Sequence, residues 1–340
     1  MNIRDLLAAA VPLLLTSSVA FAQPRTQAFE LIPPKEKTES SIYNKISLID
    51  QRLDTTNVGF IQKGLLNELV VLVTDKPMRT QVKEWFDAAI PAGAGTGELL
   101  LLLRKFKLIE QTDASTETGK FVFRATLFSG ENDQYFKIAQ IDTTVQFNAM
   151  EVSKKLLRRT NQVFEEFMYS AITKAPEISG LSYSLNEIRL LDSFEKLKIP
   201  LYNTTTYPDG FYASWASLSN LKPDYPVVAK VKDDGIFAIK QINSKGKPVN
   251  PRTKPYAVVW EGQIYIRGSY GFERLRKVGN NFIYTGKVAS SAKGNDVAVG
   301  AILGGAIGGA IAAGNSTEVL DLMIDHMNGK HMKLNEFAND

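Results

Sequence analysis

Apolar positions along the chain fall mostly into short runs of strand length, broken by turn residues. Ile46 to Asp50, Val58 to Gln62 and Leu69 to Val73 are the first three, the last rich in β-branched residues. A helical period then takes over. Met78, Val82, Trp85, Phe86 and Ala89 recur at three and four residues, which predicts a helix capped by Asp75 and stopped by Pro91. A Gly93-Ala94-Gly95-Thr96-Gly97 loop leads into Leu99 to Leu108, followed by Phe121 to Phe128 and Tyr135 to Val145. Turn-rich segments at Asp113 to Gly119 and Ser129 to Asp133 separate these runs, the punctuation of an antiparallel meander. The clearest helix comes next: Val152, Leu156, Val163, Phe167 and Ala171 form one stripe, Asn148 and Glu151 stand at capping-box spacing, and Pro176 ends it.

These elements predict an α+β fold: an N-terminal, mostly antiparallel sheet with helices on one face, then a β-rich C-terminal domain. The expected division is an extended lead-in over 23–41, an α+β domain over 42–176, a connector over 177–206 with one short helix at Leu190 to Leu197, and a β-rich domain over 207–340. Strands are expected at Val227 to Val231, Ile236 to Ile242, Tyr256 to Trp260, Gln263 to Arg267, Phe272 to Arg276, Asn281 to Val288 and Glu318 to Ile324. Glu261-Gly262 and Asn328-Gly329 are expected to form hairpin turns.

Residues 1–22 read as a secretory signal peptide. Arg4 supplies a basic start, Leu6 to Leu15 an apolar stretch, and Ala20-Phe21-Ala22 a small-x-small cleavage site before Gln23. Ten apolar residues fall well short of the roughly 20 needed to span a bilayer. The chain has no cysteine, which excludes disulfides, thiolate nucleophiles and Cys-based metal centres, and suits the periplasm or outer envelope of a bacterium better than a eukaryotic secretory route.

Composition sharpens the picture in one place. Of 340 residues, 40 are basic and 36 acidic, a balance too even for the whole-molecule field to indicate nucleic acid. The charge is nonetheless asymmetric: residues 222–293 carry a local balance of +9. There Arg252, Lys254, Arg267, Arg274, Arg276 and Lys277 are interleaved with Tyr256, Trp260, Tyr265, Tyr270 and Phe272. Such a pattern can hold an anionic lipid or glycan. Strand alternation alone would also place the cations on a solvated face and the aromatics in the core.

A second unusual segment runs from Val297 to Gly314, eighteen uncharged residues with Gly300, Gly304 and Gly308 at GxxxGxxxG spacing. On a helical wheel the glycines cover one half, and Leu303, Ile307 and Ile311 lie with the apolar residues on the other. Six glycines would cost such a helix about 6 kcal/mol relative to alanine in water, so the zipper calls for a membrane or a protein partner. As a helix it would reach about 27 Å, slightly short of a bilayer core, and a tolerated insertion between two strands is the competing reading.

Catalytic signatures fail individually. The glycine loop at 93–97 lacks the third glycine of a dinucleotide fingerprint and precedes a strand. Two S-x-x-K matches, Ser193 to Lys196 and Ser290 to Lys293, lack a K-T-G companion. The two histidines, His326 and His331, are expected to face each other across the Asn328-Gly329 turn as a solvent-facing pair. Asp325 points to the opposite face from His326, so a third metal ligand is missing. No metal, cofactor or catalytic residue is therefore expected.

Ile49-Asp50-Gln51-Arg52, the run Asn57 to Asn67 and Tyr207-Pro208-Asp209-Gly210-Phe211-Tyr212 resemble segments of uncharacterised secreted, cell-envelope proteins of Bacteroidota. In those a glycine-rich apolar stretch also precedes a final strand and turn. The resemblance implies an envelope location and no activity. In strand order alone the first domain resembles the α/β modules of envelope assembly proteins. The expectation is a non-enzymatic envelope protein that binds or assembles, with membrane or partner contact through Gly300, Gly304, Gly308, Leu303, Ile307 and Ile311. A secreted carbohydrate-active hydrolase with a carboxylate pair distant in sequence is the alternative.

Overall fold

The computed structural model describes residues 25–52, 54–64, 67–112, 117–149, 151–177, 180–232, 235–289 and 317–334. In chain order the first part runs β1 (Arg25–Ala28), β2 (Tyr43–Asp50), β3 (Asn57–Lys63), β4 (Glu68–Val73), α1 (Met78–Ala89), β5 (Gly97–Thr112), β6 (Glu117–Glu131), β7 (Gln134–Ala149), α2 (Val152–Ile172), β8 (Ser182–Tyr183), α3 (Leu185–Arg189) and α4 (Leu191–Leu197).

The first sheet is organised around β5. Its run Leu99 to Leu103 is apolar on both faces, so it can only lie where both faces are covered. β6 and β7 extend one edge as an antiparallel meander. The other edge is shared: β2 pairs parallel with Leu99 to Leu103, and β3 pairs parallel further along at Leu108 and Ile109. β4 and then β1 follow outward from β3. On one face Leu99, Leu101, Leu103, Phe121 and Phe123 pack with Trp85 and Phe86 of α1 and Phe164 and Phe167 of α2 in a single core. On the other, Leu100, Leu102 and Phe128 are covered by Ile188 of α3 and by Leu191.

The protein is thus a sheet-rich α+β chain, and several expected details change. Structure begins before Ile42: β1 lies parallel to β4, and Phe29 and Leu31 of the lead-in are buried in the core. Helices are not confined to one face, because a central strand apolar on both sides needs cover on both. Asp75 does not cap α1. Pro77 biases Lys76 away from helical backbone, and the helix starts only at Met78 with Pro77 as its N-cap. Asn148 is no cap either, because the period-two pattern of Val145 and Phe147 carries β7 on to Ala149. There Asn148 Oδ1 accepts from the Thr118 hydroxyl at 3.1 Å. The connector holds two helices and a strand rather than one helix.

The second part comprises a 3-10 turn at Pro200–Asn203, β9 (Gly210–Tyr212), α5 (Trp215–Ser219), β10 (Val227–Lys232), β11 (Gly235–Ile242), β12 (Pro248–Val249), β13 (Ala257–Trp260), β14 (Gln263–Arg267), β15 (Phe272–Arg274), β16 (Arg276–Val278), β17 (Asn281–Ala289), β18 (Thr317–Ile324) and β19 (His331–Lys333). Among the described residues β9 to β15 make one sheet and β16 to β19 another. The expected strand Phe272 to Arg276 is split between the two. Leu275, buried between β15 and β16, is the pivot, a core residue shared by the two sheets. Glu261 and Gly262 both have positive φ, as a two-residue hairpin requires. The Asp209 carboxylate accepts from both of their N–H groups at 3.0 and 2.8 Å.

Gly59 is fixed by crowding as well as by φ of 129°: a Cβ there would lie 1.8 Å from the Leu108 carbonyl oxygen, where β3 meets β5.

Candidate functional site

Two sites emerge, one buried and one open. The buried one begins with an irregularity in β5. The register slips between Leu103 and Lys105, a β-bulge that adds one residue to the strand. Leu103 and Phe106 both point into the helix-covered core. The bulge therefore sends Arg104 and Lys105, neighbours in sequence, to the same opposite face. Arg124 of β6 and Asp142 of β7 lie in register beside them.

Onto this face docks the C-terminal turn. Asp325, 1% exposed, accepts from Lys105 Nζ and from both terminal nitrogens of Arg124 at 3.1 and 2.8 Å. Arg124 also reaches Asp142 at 3.0 Å. Asn328 bonds Asp142 at 3.3 Å, and Lys330 donates to the Thr144 hydroxyl at 3.1 Å. Burial pushes the Asp325 carboxyl up, but the charges of Lys105 and Arg124 outweigh it and hold the group far below the usual carboxylate range.

Beside this cluster Arg104 bonds Asp192 at 2.8 Å and Glu195 at 2.7 Å, both from α4, and His326 Nε2 lies 2.9 Å from Glu195 Oε2. Burial raises the Glu195 carboxyl, while the bonds from His326 and Arg104 bring it down to about 2. Ligand atoms of Asp192, Glu195 and His326 lie within 4.8 Å of one another, a metal-like spacing. The Arg104 guanidinium already donates to both carboxylates, so their charge is answered by a side chain of the protein.

The histidines correct the sequence reading. β18 ends at Ile324, which pairs directly with His331. The turn therefore spans Asp325 to Lys330, closed by the Asp325 N–H to the Lys330 carbonyl at 2.8 Å, with Gly329 N–H donating to the Asp325 carbonyl. A wide turn takes His326 out of register, so the two histidines do not face each other, and both are buried rather than solvent-facing. His326 meets Glu195. His331 Nδ1 shares a 2.5 Å bond with the Tyr284 hydroxyl, and burial, with Arg267 nearby, pulls its pKa down to about 4.

The open site is a hollow of about 500 Å³ between the 251–255 loop and the hairpin from β14 to β15. The hairpin is tightened by the Gly268 N–H to the Gly271 carbonyl at 2.7 Å. Arg252, Lys254 and Arg267 line the hollow together with Tyr270, and among the described residues no acidic one does. Arg267 Nε is buried without a hydrogen-bond partner. The other three basic candidates lie elsewhere. Arg274 is exposed on β15, Arg276 donates to the Thr285 hydroxyl at 3.4 Å, and Lys277 Nζ donates to the Tyr202 carbonyl. Of the interleaved aromatics, Tyr265 is buried and Tyr270 is 57% exposed.

Gly300, Gly304, Gly308, Leu303, Ile307 and Ile311 lie outside the described residues, as do residues 1–22, the expected signal peptide. The strands on either side of the glycine segment, β17 and β18, pair antiparallel up to Ala289 and Thr317. Among the described residues no helix is long and apolar enough to cross a membrane, which says nothing of spanning by strands.

The sequence reading missed Arg104, Lys105, Arg124, Asp192 and Glu195. A signal was present: Arg104-Lys105 closes a five-leucine run, and Arg124 interrupts Phe121-Val122-Phe123. A charge inside a buried strand needs a partner from elsewhere.

No family model matches the chain, and no curated protein does. Among solved structures, it is similar to a crystal structure of a Xanthomonas campestris protein of the family DUF330, with 15% identity over 42% of this chain and 92% of that one, at a TM-score of 0.28. It is also similar to an uncharacterised protein, with 11% identity over 44% of this chain and 97% of that one, at a TM-score of 0.23. Likeness at this level assigns neither fold nor function.

Proposed function

We propose that this chain is a non-enzymatic binding protein of the bacterial envelope, exported by the 1–22 leader, whose second, β-rich module takes a phosphate-bearing lipid headgroup in the hollow at Arg252, Lys254 and Arg267. The observation that carries the reading is the convergence of those three cations, 15 residues apart in sequence at the extremes, on one hollow without an acidic wall. The unpartnered Nε of Arg267 supplies a donor whose desolvation has already been incurred. Tyr270 at the rim and Phe237, 66% exposed on the strand that also carries Ile239 of the hollow, offer rings suited to a lipid interface. The glycine segment leaves the hairpin of β17 and β18 and supplies a second contact, with the same membrane or with a protein partner.

The test is sedimentation with vesicles of phosphatidylcholine alone and of phosphatidylcholine with phosphatidylglycerol. Binding is expected only to the anionic vesicles and falls with salt. Arg252→Gln with Lys254→Gln removes two surface cations worth about 1 kcal/mol each at an anionic membrane, so affinity drops about thirtyfold. Equal binding by the variant overturns the role of the hollow. Binding to an acidic oligosaccharide without binding to vesicles overturns the lipid headgroup.

A further inference from the structure

β7 is 16 residues long, yet among the described residues its outer edge is paired only at Tyr135 and Phe136, by β8. From Ile138 to Ala149 the strand makes no backbone–backbone hydrogen bond beyond its ladder with β6, among the described residues. Asp142 shows that it is the main chain that faces solvent: the residue as a whole is exposed although its side chain is only 25% exposed. The stretch runs roughly 40 Å at the usual strand rise. Apart from the bulge at Ile138 where it begins, it lacks the devices that keep natural edges from pairing, since it contains no proline and no lysine, and Asp142 is its single charge.

We propose that β7 is the dimer interface of this protein, two copies pairing antiparallel edge to edge about a two-fold axis at Thr144. A second copy is the fitting occupant for three reasons. The other strands of this sheet with an unpaired side, β1, β2 and β8, are four, eight and two residues long, so the strand whose length matches the open edge of β7 is β7 itself. Because β8 blocks one end, a symmetric pairing of the open stretch must centre near its middle. Centring on Thr144 sets Ile141 opposite the second copy's Phe147, Val145 opposite Thr143 and Asp142 opposite Gln146. Ile141, Val145 and Phe147 are half-buried on the core side, and an aromatic paired with a β-branched residue is favourable across strands. The charges also complement each other. Asp142 lies diagonal to the second copy's Thr144, whose hydroxyl holds the Lys330 ammonium.

The absence of cysteine from the chain makes the test direct. Residues directly opposed in an antiparallel pair have Cα atoms about 4.5 to 5.5 Å apart, which suits a disulfide. The full-length Thr144→Cys chain is expected to form a disulfide dimer under mild oxidation at least tenfold faster than Asn148→Cys, whose own symmetry mate is eight residues further along the ladder. A mixture of Gln140→Cys and Asn148→Cys chains should cross-link to each other, since 140 faces 148 in this register. Sedimentation equilibrium of the unmodified chain should give a dimer. A monomer at all concentrations overturns the proposal. So does a dimer in which Thr144→Cys links no faster than Asn148→Cys and the mixed pair does not link, because the contact then lies on another surface, the glycine segment included.

Discussion

Asp325→Asn is the sharpest perturbation of the buried junction. The carboxylate faces two cations, Lys105 and Arg124. Arg124 keeps Asp142 when Asp325 is neutralised, so the change leaves one ammonium, that of Lys105, without a countercharge. Removing one partner of a buried ion pair costs about 3–5 kcal/mol. Lys105 retains 23% side-chain exposure and so gains some hydration, which argues for the lower end, about 3 kcal/mol. Asparagine can still accept the Met327 N–H that Oδ1 holds at 3.1 Å, so the turn itself is spared and the loss reports electrostatics. Urea denaturation at pH 7 measures it. The loss should shrink when Lys105→Met is added, because the stranded charge is removed and the methionine stem fills the same space. Losses that add, or an Asp325→Asn cost under about 1 kcal/mol, would refute the claim that Lys105 depends on this carboxylate.

Two further outcomes follow from the same geometry. Glu195 is held at about 2 against an unfolded value near 4.5, so its contribution is complete above pH 4.5 and is lost as pH falls towards 2. At about 1.4 kcal/mol per unit this is about 3 kcal/mol, and Glu195→Gln should flatten that part of the stability profile. Gly59→Ala forces a methyl against the Leu108 carbonyl and should cost about 3 kcal/mol or more by separating β3 from β5; a thermal midpoint within 2 °C of the parent would contradict this.

What the sequence discloses here depends on the range of the interaction. Period and turn chemistry are local, and so the runs at Ile46, Val58, Leu69, Phe121 and Asn281 became strands, and Glu261-Gly262 became the expected hairpin turn. Caps were misplaced where a neighbouring element won: Pro77 delayed α1, and β7 absorbed Asn148. The charges of the junction stand out in the sequence, but which partners they meet does not, because that depends on one bulge. Regular alternation would put Arg104 and Lys105 on opposite faces; one extra residue puts both on one face, where Asp325, 220 positions beyond Lys105, meets Lys105 while Asp192 and Glu195 meet Arg104. The hollow was half legible: the basic bias was evident, but only folding sorts Arg252, Lys254 and Arg267 from Arg274, Arg276 and Lys277.

The two sites are joined by a short path of contacts. Arg267, which lines the hollow, donates its backbone N–H to the Tyr256 carbonyl at 3.0 Å. Tyr256 follows directly on the 251–255 loop, and its hydroxyl donates to the Gly329 carbonyl at 2.7 Å. Gly329 cannot yield at that point, since a Cβ there would lie 2.5 Å from Trp215 and its φ is 71°. Its own N–H is fixed to the Asp325 carbonyl at 2.8 Å, and the Asp325 side chain is locked between Lys105 and Arg124. Both loops that shape the hollow are therefore tied to the turn that docks on the first sheet. A hollow built from loops alone would lose its shape to loop entropy. Here the buried ion pairs hold the turn, the turn holds Tyr256, and Tyr256 holds the Arg267 backbone at the foot of the 251–255 loop. That gives a physical reason for a largely buried charge cluster to persist in a protein whose proposed role lies at its surface: under that proposal it preorganises Arg267, so that an anion would meet its guanidinium in position.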